Sequence, residues 1–203
     1  MISFKDKINQ VGLNAKEASK ILAKIPTKQK NEALLAMANH ILNDKEFILK
    51  ANKIDIDQAK AKGLSESFID RLELNNERIE SISVMLKEIA SLKDPIGKVL
   101  DSWTRPNGLN ISRVSTPLGT IGIIYESRPN VTADGGALCL KSGNASILRG
   151  GSDSIHSCIA IHNSMMKGLN DADITKHAIQ IIEDTDREAV SMMLQGINKS
   201  IDV

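Results

Sequence analysis

The sequence predicts an α/β fold: a parallel sheet flanked by helices, with further helices on its N-terminal side and a β-hairpin projecting between the two halves. Three observations carry this. Apolar residues recur at helical spacing through residues 1–93, an Asn-Gly turn joins two short extended runs near residue 107, and strand-like and helix-like segments alternate from Thr120 onward.

The helical part is read element by element. Ile8, Val11, Ala15, Ala18, Ile21 and Leu22 form one stripe, which Pro26-Thr27 breaks before a second begins. Leu34, Leu35, Ala38, Ile41 and Leu42 form that second stripe. Asp44 is placed to N-cap a third helix running towards Gly63, a C-terminal stop. Asn75 or Asn76 caps a fourth, with Ile79, Ile82, Leu86 and Ile89 inside, and Asp94-Pro95 ends it, because the residue before a proline is pushed out of the α region.

The next segments read as strands. Val99 to Trp103 and Leu109 to Val114 are the arms of the hairpin, with Arg105-Pro106-Asn107-Gly108 as its turn and Asn-Gly supplying positive φ. Ile121 to Tyr125 reads as a strand buried on both faces, Val131 to Leu140 as a helix, and Asn144 to Leu148 as the next strand. Ser152 or Asp153 caps a helix through Leu169, Ala178 to Ile182 is a third strand, and Asp184 or Thr185 caps a helix through Gln195. Ile201-Asp202-Val203 looks like the start of a fourth strand. The β-α-β order implies right-handed crossovers and a Rossmann-like parallel sheet. A strand start is a poor terminus for such a sheet, so the chain is expected to be the N-terminal part of a longer one.

Composition narrows the function. With 26 Lys+Arg against 25 Asp+Glu, the chain lacks the basic surplus of a polyanion binder, and 2% aromatics leave few rings for stacking bases, so nucleic acid is not an expected partner. The N-terminus has no apolar stretch after its charges and no run approaches a membrane span, so a reducing cytoplasm without membrane association is expected. Cys139 and Cys158, with eighteen residues between them, match no zinc or redox spacing and read as buried small hydrophobes. The four histidines form no metal pattern, and the lysines around Lys60 and Lys62 read as a solvated face.

Parallel sheets bind ligands at the carboxyl ends of their strands. Three segments fall there: Glu126 to Asn130, Arg149 to Asp153, and Glu183 to Arg187. Each carries an arginine, and one has paired glycines before a helix, so exposed helix N-termini and guanidinium groups point to a nucleotide or another phosphorylated ligand. No Gly-x-Gly-x-x-Gly follows the first strand of the sheet and no Walker-type loop is present, which disfavours an ordinary Rossmann fingerprint and an NTPase.

The run Pro117-Leu118-Gly119-Thr120-Ile121-Gly122-Ile123-Ile124-Tyr125-Glu126-Ser127-Arg128-Pro129-Asn130-Val131-Thr132 closely resembles the γ-glutamyl phosphate reductases (glutamate-5-semialdehyde dehydrogenases). The likeness continues from Ala137 through Gly151 and includes Arg105 to Leu109, Thr185 to Val190 and Asp70-Arg71-Leu72, so that it covers essentially the whole chain. The resemblance implies an aldehyde dehydrogenase-like fold, which accounts for the missing glycine fingerprint. It also implies reduction of γ-glutamyl phosphate, a small-molecule acyl phosphate, by NADPH to glutamate 5-semialdehyde in proline biosynthesis. In that chemistry a cysteine thiolate displaces phosphate, and the thioester then accepts hydride. The nucleophilic Cys is implied to lie in a catalytic domain beyond residue 203, and neither Cys139 nor Cys158 matches it. Residues 1–203 would then be the N-terminal part of the NADP-binding domain: helical to residue 95, an oligomerising hairpin over 96–119, and a Rossmann-like unit over 120–203.

Carried over by position, Asn130 would supply the amide of an oxyanion hole, although it could also cap the following helix. Arg128 would hold the substrate phosphate or carboxylate, unless it only supports its loop. The expected cofactor contacts are Ser127, Arg149, Gly150, Gly151, Ser152, Thr185 and Arg187. Arg149 aligns with a ribose-binding Lys of relatives and could pair with a 2′-phosphate, while Ser152 replaces a Glu found in many NAD-preferring relatives; both would favour NADPH. Gly150 and Gly151 would let backbone approach the cofactor or simply form a turn, and Thr185 is as well suited to helix capping as to cofactor contact. A homo-oligomer and a functional association with glutamate 5-kinase are further implications. Two alternatives stand beside this reading. One is a catalytically inactive nucleotide-binding or dimerisation module from a truncated reductase. The other, an NAD-linked aldehyde dehydrogenase, is weakened by Ser127-Arg128-Pro129-Asn130, because ordinary members carry an aromatic before the Asn.

Overall fold

A computed structural model describes residues 3–203. Its helical part comprises α1 (Phe4–Leu22), α2 (Thr27–Asn43), α3 (Lys45–Ala61), α4 (Glu66–Leu72) and α5 (Asn76–Ser91). Ser3, Ser65 and Asn75 cap α1, α4 and α5 through side-chain oxygens that accept first-turn N–H groups. Asp44 does not cap α3 as expected; its carboxylate turns away and accepts from Ser164 Oγ at 2.8 Å and Lys167 Nζ at 2.7 Å. The sequence pattern gave no sign of α4. It is only two turns long, and with the end of α3 it builds a small separate core of Ile56, Ala59 and Leu72, packed by Phe68 and Ile69.

The hairpin joins β1 (Val99–Thr104) to β2 (Asn110–Val114), with Trp103 opposite Ile111. Its turn differs in detail from the expectation. Gly108 takes positive φ and Asn107 does not; Gly108 N–H donates to Arg105 O and Arg105 N–H to Leu109 O, which makes a three-residue loop with a glycine bulge. Almost every residue of the two strands is exposed.

The sheet has β3 (Thr120–Ile124), β4 (Ala145–Arg149) and β5 (Ile179–Ile181), all parallel in the order β3-β4-β5. Helices α6 (Asn130–Lys141), α7 (Ile155–Asp171) and α8 (Arg187–Leu194) connect and follow the strands. The central strand β4 is buried throughout. The expectation that the first sheet strand is buried on both faces fails, because β3 lies at the side of the ladder and only Thr120 is fully buried. The expected fourth strand is present as a pairing without a full strand: Asp202 N–H donates to Thr120 O at 2.9 Å and Gly122 N–H to Val203 O at 2.8 Å along the outer edge of β3.

Helix α1 lies against the sheet strands, α6 and α7 also pack on the sheet, and α2 and α5 pack on α7 and α6. One continuous core, with Leu34, Met37, Leu86, Ile147, Leu148 and Met165 fully buried, ties the helical part to the sheet. At its border Lys30, 2% exposed, ion-pairs with Asp94 at 2.6 Å, and Lys141 donates to Asn31 Oδ1 and Ala90 O.

Candidate functional site

The loops at the carboxyl ends of the three strands meet around an open cavity of about 660 Å³. The β3–α6 loop gives it Ser127 and Arg128. The β4–α7 segment gives Arg149, Gly151 and Ser152, and the β5–α8 segment gives Thr185 and Arg187. From the helical part, α4 adds Phe68 and Arg71. A second cavity, of about 560 Å³, lies beside the first and holds Asn130 together with Asp70, Arg78 and Met85. Arg71 and Arg128 line both cavities.

Two expected site residues are placed differently. Gly150 does not line the cavity; it is buried, and a Cβ there would stand 3.1 Å from both Cys158 Sγ and the Tyr125 ring. Asn130 is the exposed first residue of α6, and no side chain caps that helix, so the alternative role as a cap is not realised. Its amide is free to face the second cavity.

Gly151 is required by space. A Cβ on it would collide with the Ser127 hydroxyl and lie 2.9 Å from the Ser127 backbone nitrogen. The β4–α7 loop therefore presses directly on the β3–α6 loop, and Ser127 fills the space that a side chain at 151 would need.

Helix N-termini contribute less than the sequence suggests. The first-turn donors of α7 are taken from inside: buried Asp55 of α3 accepts from His156 N–H at 3.2 Å and from Ser157 N–H at 2.8 Å, and also from the Ser157 hydroxyl. Burial pushes the Asp55 carboxyl above its ordinary value, against the hydrogen bonds from Ser157 and His156 that pull it down. Asn52, one turn earlier, donates to Leu72 O and Ser157 Oγ and accepts from Leu74 N–H, so α3 fixes both the start of α7 and the end of α4. The α8 terminus is capped by Asp186, not by Asp184 or Thr185. No helix caps itself with Ser152 or Asp153; a short 3-10 turn, Ser152–Ser154, precedes α7.

The guanidinium groups divide by occupation. Arg149 is buried, with Nη1 donating to Gly150 O and Nη2 to Thr185 O at 3.0 Å, so it clamps two of the three loops together. Its Nε is buried without a hydrogen-bond partner. Arg78 is consumed by the Asp70 carbonyl and carboxylate and by Glu73 O. Arg71 makes a loose pair with Glu126 at 3.8 Å. Arg128 and Arg187 are exposed, and among the described residues their side chains have no ion-pair or hydrogen-bond partner. At the cavity rim Lys62, exposed as expected of a solvated face, also reaches Asp153 at 2.6 Å.

Neither cysteine suits nucleophilic work. Burial raises the Cys139 thiol to about 12. It also raises that of Cys158, which sits behind Gly150 and donates to Ser154 Oγ, against the downward pull of contacts with Ser154, Thr132 and Tyr125. His162 is held neutral by burial, with its Nε2 at 3.0 Å from Ile179 O. Among the described residues no group of His, Cys, Asp and Glu is placed to hold a metal, and no helix is long and apolar enough to cross a membrane.

Sequence reasoning missed Phe68, Arg71, Asn52 and Asp55. Asp70-Arg71-Leu72 was part of the resemblance, but nothing in the pattern tied that segment to the sheet edge. For Asp55 the only available sign was a carboxylate on the face that Ile48, Ile56 and Ala59 bury.

No protein-family model matches the chain. A γ-glutamyl phosphate reductase of Allorhizobium ampelinum is 57% identical over 193 residues, which is 95% of this chain and 45% of the relative. The crystal structure of γ-glutamyl phosphate reductase from Thermotoga maritima superposes with a TM-score of 0.91 at 42% identity, covering 93% of this chain and 46% of that one. The fold extends to distant structures. A probable aldehyde dehydrogenase from Listeria monocytogenes has a TM-score of 0.72 at 14% identity, covering 97% of this chain and 40% of that one. A glyceraldehyde-3-phosphate dehydrogenase from Methanocaldococcus jannaschii, complexed with NADP, has a TM-score of 0.65 at 16% identity with the same coverage. The fold is thus aldehyde dehydrogenase-like, and the chain spans less than half the length of the relatives it matches. In sequence and in fold, it is a homologue of the γ-glutamyl phosphate reductases over one contiguous part of their length.

Proposed function

We propose that the chain is the cofactor-binding part of an oxidoreductase of proline biosynthesis that reduces L-glutamate 5-phosphate to L-glutamate 5-semialdehyde, with NADPH as reductant and phosphate as leaving group. The observation that carries this reading is the meeting of Ser127, Arg128, Arg149, Gly151, Ser152, Thr185 and Arg187 at one cavity, in a chain that matches reductases over 95% of its length. The residues fit a dinucleotide. Gly151 lets two of the loops close into one cavity wall, Arg149 keeps an unsatisfied buried Nε, and several guanidinium groups surround the space. The NADP bound to the distant dehydrogenase supports the same class of cofactor.

Each residue has a part in this reading. Bound NADPH supplies hydride. Arg149 orders the loops that hold the cofactor, more than it reaches for the ribose. Arg187, free and exposed at the same cavity, matches a 2′-phosphate, and Ser152 adds no opposing charge. The amide of Asn130 donates to the acyl oxygen where negative charge grows. The thiolate nucleophile comes from outside these residues, because Cys139 and Cys158 are buried and held protonated. A cytoplasmic homo-oligomer built through the hairpin, associated in function with glutamate 5-kinase, completes the proposal.

Calorimetric titration tests the cofactor assignment. NADPH is expected to bind the chain roughly tenfold or more tightly than NADH, a difference of about 1.4 kcal/mol. Equal affinities would remove the 2′-phosphate from the account, and no binding of either would refute the dinucleotide site. The chain alone is expected to show no acyl-phosphate reduction above a Cys139→Ser/Cys158→Ser control. Turnover regained when the complementary half of a relative is added would separate part of an enzyme from an inert binding module.

A further inference from the structure

We infer that Arg71 and Arg128 form a guanidinium pair that takes a phosphoryl group where the two cavities join, with Arg71 reaching in from the helical part of the molecule. The naming of that ligand as the substrate's acyl phosphate rests on the reading above; the pair itself rests on geometry. The two cavities share only two lining residues, and both are arginines. One cavity has the proposed cofactor loops, and the other has Asn130. A reacting acyl group whose oxygen meets the Asn130 amide would therefore carry its phosphoryl end towards this shared edge.

The state of each arginine supports the assignment. Arg78 has turned both outer nitrogens onto carbonyls and a carboxylate of the protein, and Arg149 is buried with both outer nitrogens on carbonyls of the loops it clamps. Arg187 borders only the first cavity. Arg128 has no side-chain partner among the described residues. Arg71 is half-committed: its Nε donates to Ser67 O at 3.2 Å and its guanidinium lies 6.0 Å from the centre of the Phe68 ring, which together fix its direction. Its outer nitrogens see only Glu126, at 3.8 Å and largely in solvent. An exposed pair at that distance contributes little, so a phosphate dianion can take the place of the Glu126 carboxylate. Asp70, which would otherwise oppose an anion at this edge, is already neutralised by Arg78 at 2.7 Å. Two forked guanidinium groups lining one edge can each offer paired donors to a phosphate.

Inorganic phosphate is the probe. The chain is titrated while the arginine Nε–H signals are followed by NMR, alone and with saturating NADPH. A single site is expected that perturbs Arg71 and Arg128 and persists with NADPH present. Arg71→Ala and Arg128→Ala should each weaken phosphate roughly tenfold, and Arg71→Lys should lose less, since it keeps the charge without the fork. Glu126→Gln should act in the opposite sense and strengthen phosphate about two- to fivefold, by removing the competitor. That gain also guards against reading a misfolded Arg71→Ala variant as support. Phosphate that is insensitive to Arg71 and Glu126, that is expelled by NADPH, or that fails to bind at tens of millimolar would overturn the pair. A chain that binds phosphate in this way but never binds NADPH would uphold the pair and refute the dinucleotide reading.

Discussion

A methyl group at position 151 would collide with the Ser127 hydroxyl and stand 2.9 Å from the Ser127 backbone nitrogen. Neither neighbour can yield easily. Ser127 is buried on a short loop between β3 and α6, and its backbone is held by the turn in which Arg128 N–H donates to Glu126 O. Overpacking of this kind costs about 1–3 kcal/mol, and here the relief comes from prising the two loops apart. Gly151→Ala is therefore expected to lower thermal stability modestly and to weaken NADPH by roughly tenfold, since Ser127 and the β4–α7 loop form the wall of the cavity proposed for the cofactor. Paired melting and titration of the variant check both parts; unchanged NADPH affinity would mean that the wall does not touch the cofactor. At Gly150, in contrast, the crowding atoms are Cys158 Sγ and the Tyr125 ring, behind the cavity, so substitution there acts on packing.

Individual elements show which parts of the fold could be read from residues alone. The long helices α1, α2 and α5 carry apolar stripes over four or more turns, so periodicity finds them within a residue or two. Helix α4 escapes because two turns are too few for a period, and its stability comes from packing on α3. The caps were legible where the capping side chain is local, as at Asn75. The expected cap failed at Asp44, whose partners Ser164 and Lys167 lie 120 and 123 residues away in the chain. Asp94 shows what such a partner does. It ends no helix itself, since α5 has already stopped at Ser91; it accepts from Thr27 and Ile96 and ion-pairs with buried Lys30, joining α2 to the base of the hairpin. Burial, the largest influence, raises its carboxyl, but the bonds from Lys30, Thr27 and Ile96 outweigh that and leave it below the ordinary 3.8. The unfolded chain thus takes up this proton before the folded chain does. The stabilisation is complete above the unfolded value and is lost as pH falls through the lower folded one. Asp94→Asn strands the Lys30 charge and is expected to cost about 3–5 kcal/mol at neutral pH. The gap between the two proteins in urea midpoint should narrow as pH drops below 3.8. A gap that stays constant down to pH values where Asp94 is protonated would place the loss elsewhere.

For the molecule as a whole, the site divides between what local sequence shows and what only the fold assembles. Arginines and glycines at strand ends were visible because parallel sheets present those ends together; Arg71 and Phe68 reach the same cavity only because α3 anchors α4 through Asn52. The hairpin poses the opposite problem, since its sequence was clear but among the described residues little packs on it. Val99, Leu100, Trp103, Leu109 and Val114 are all more than 40% exposed, and the two strands pack on almost nothing. A lone two-stranded ribbon is marginal in water, and such an apolar surface is a liability for a monomer. Self-association through this ribbon would cover it and give the strands the packing they lack. Trp103 is the strongest anchor, as the one tryptophan in the sequence and directly opposite Ile111. The chain is therefore expected to sediment as an oligomer. Trp103→Asp should shift it towards monomer, with dissociation raised at least tenfold, while NADPH affinity at the cavity, which no hairpin residue lines, stays within about twofold. Analytical ultracentrifugation over a concentration series decides this: a wild-type chain that remains monomeric, or a variant that assembles as readily, removes the hairpin from the assembly.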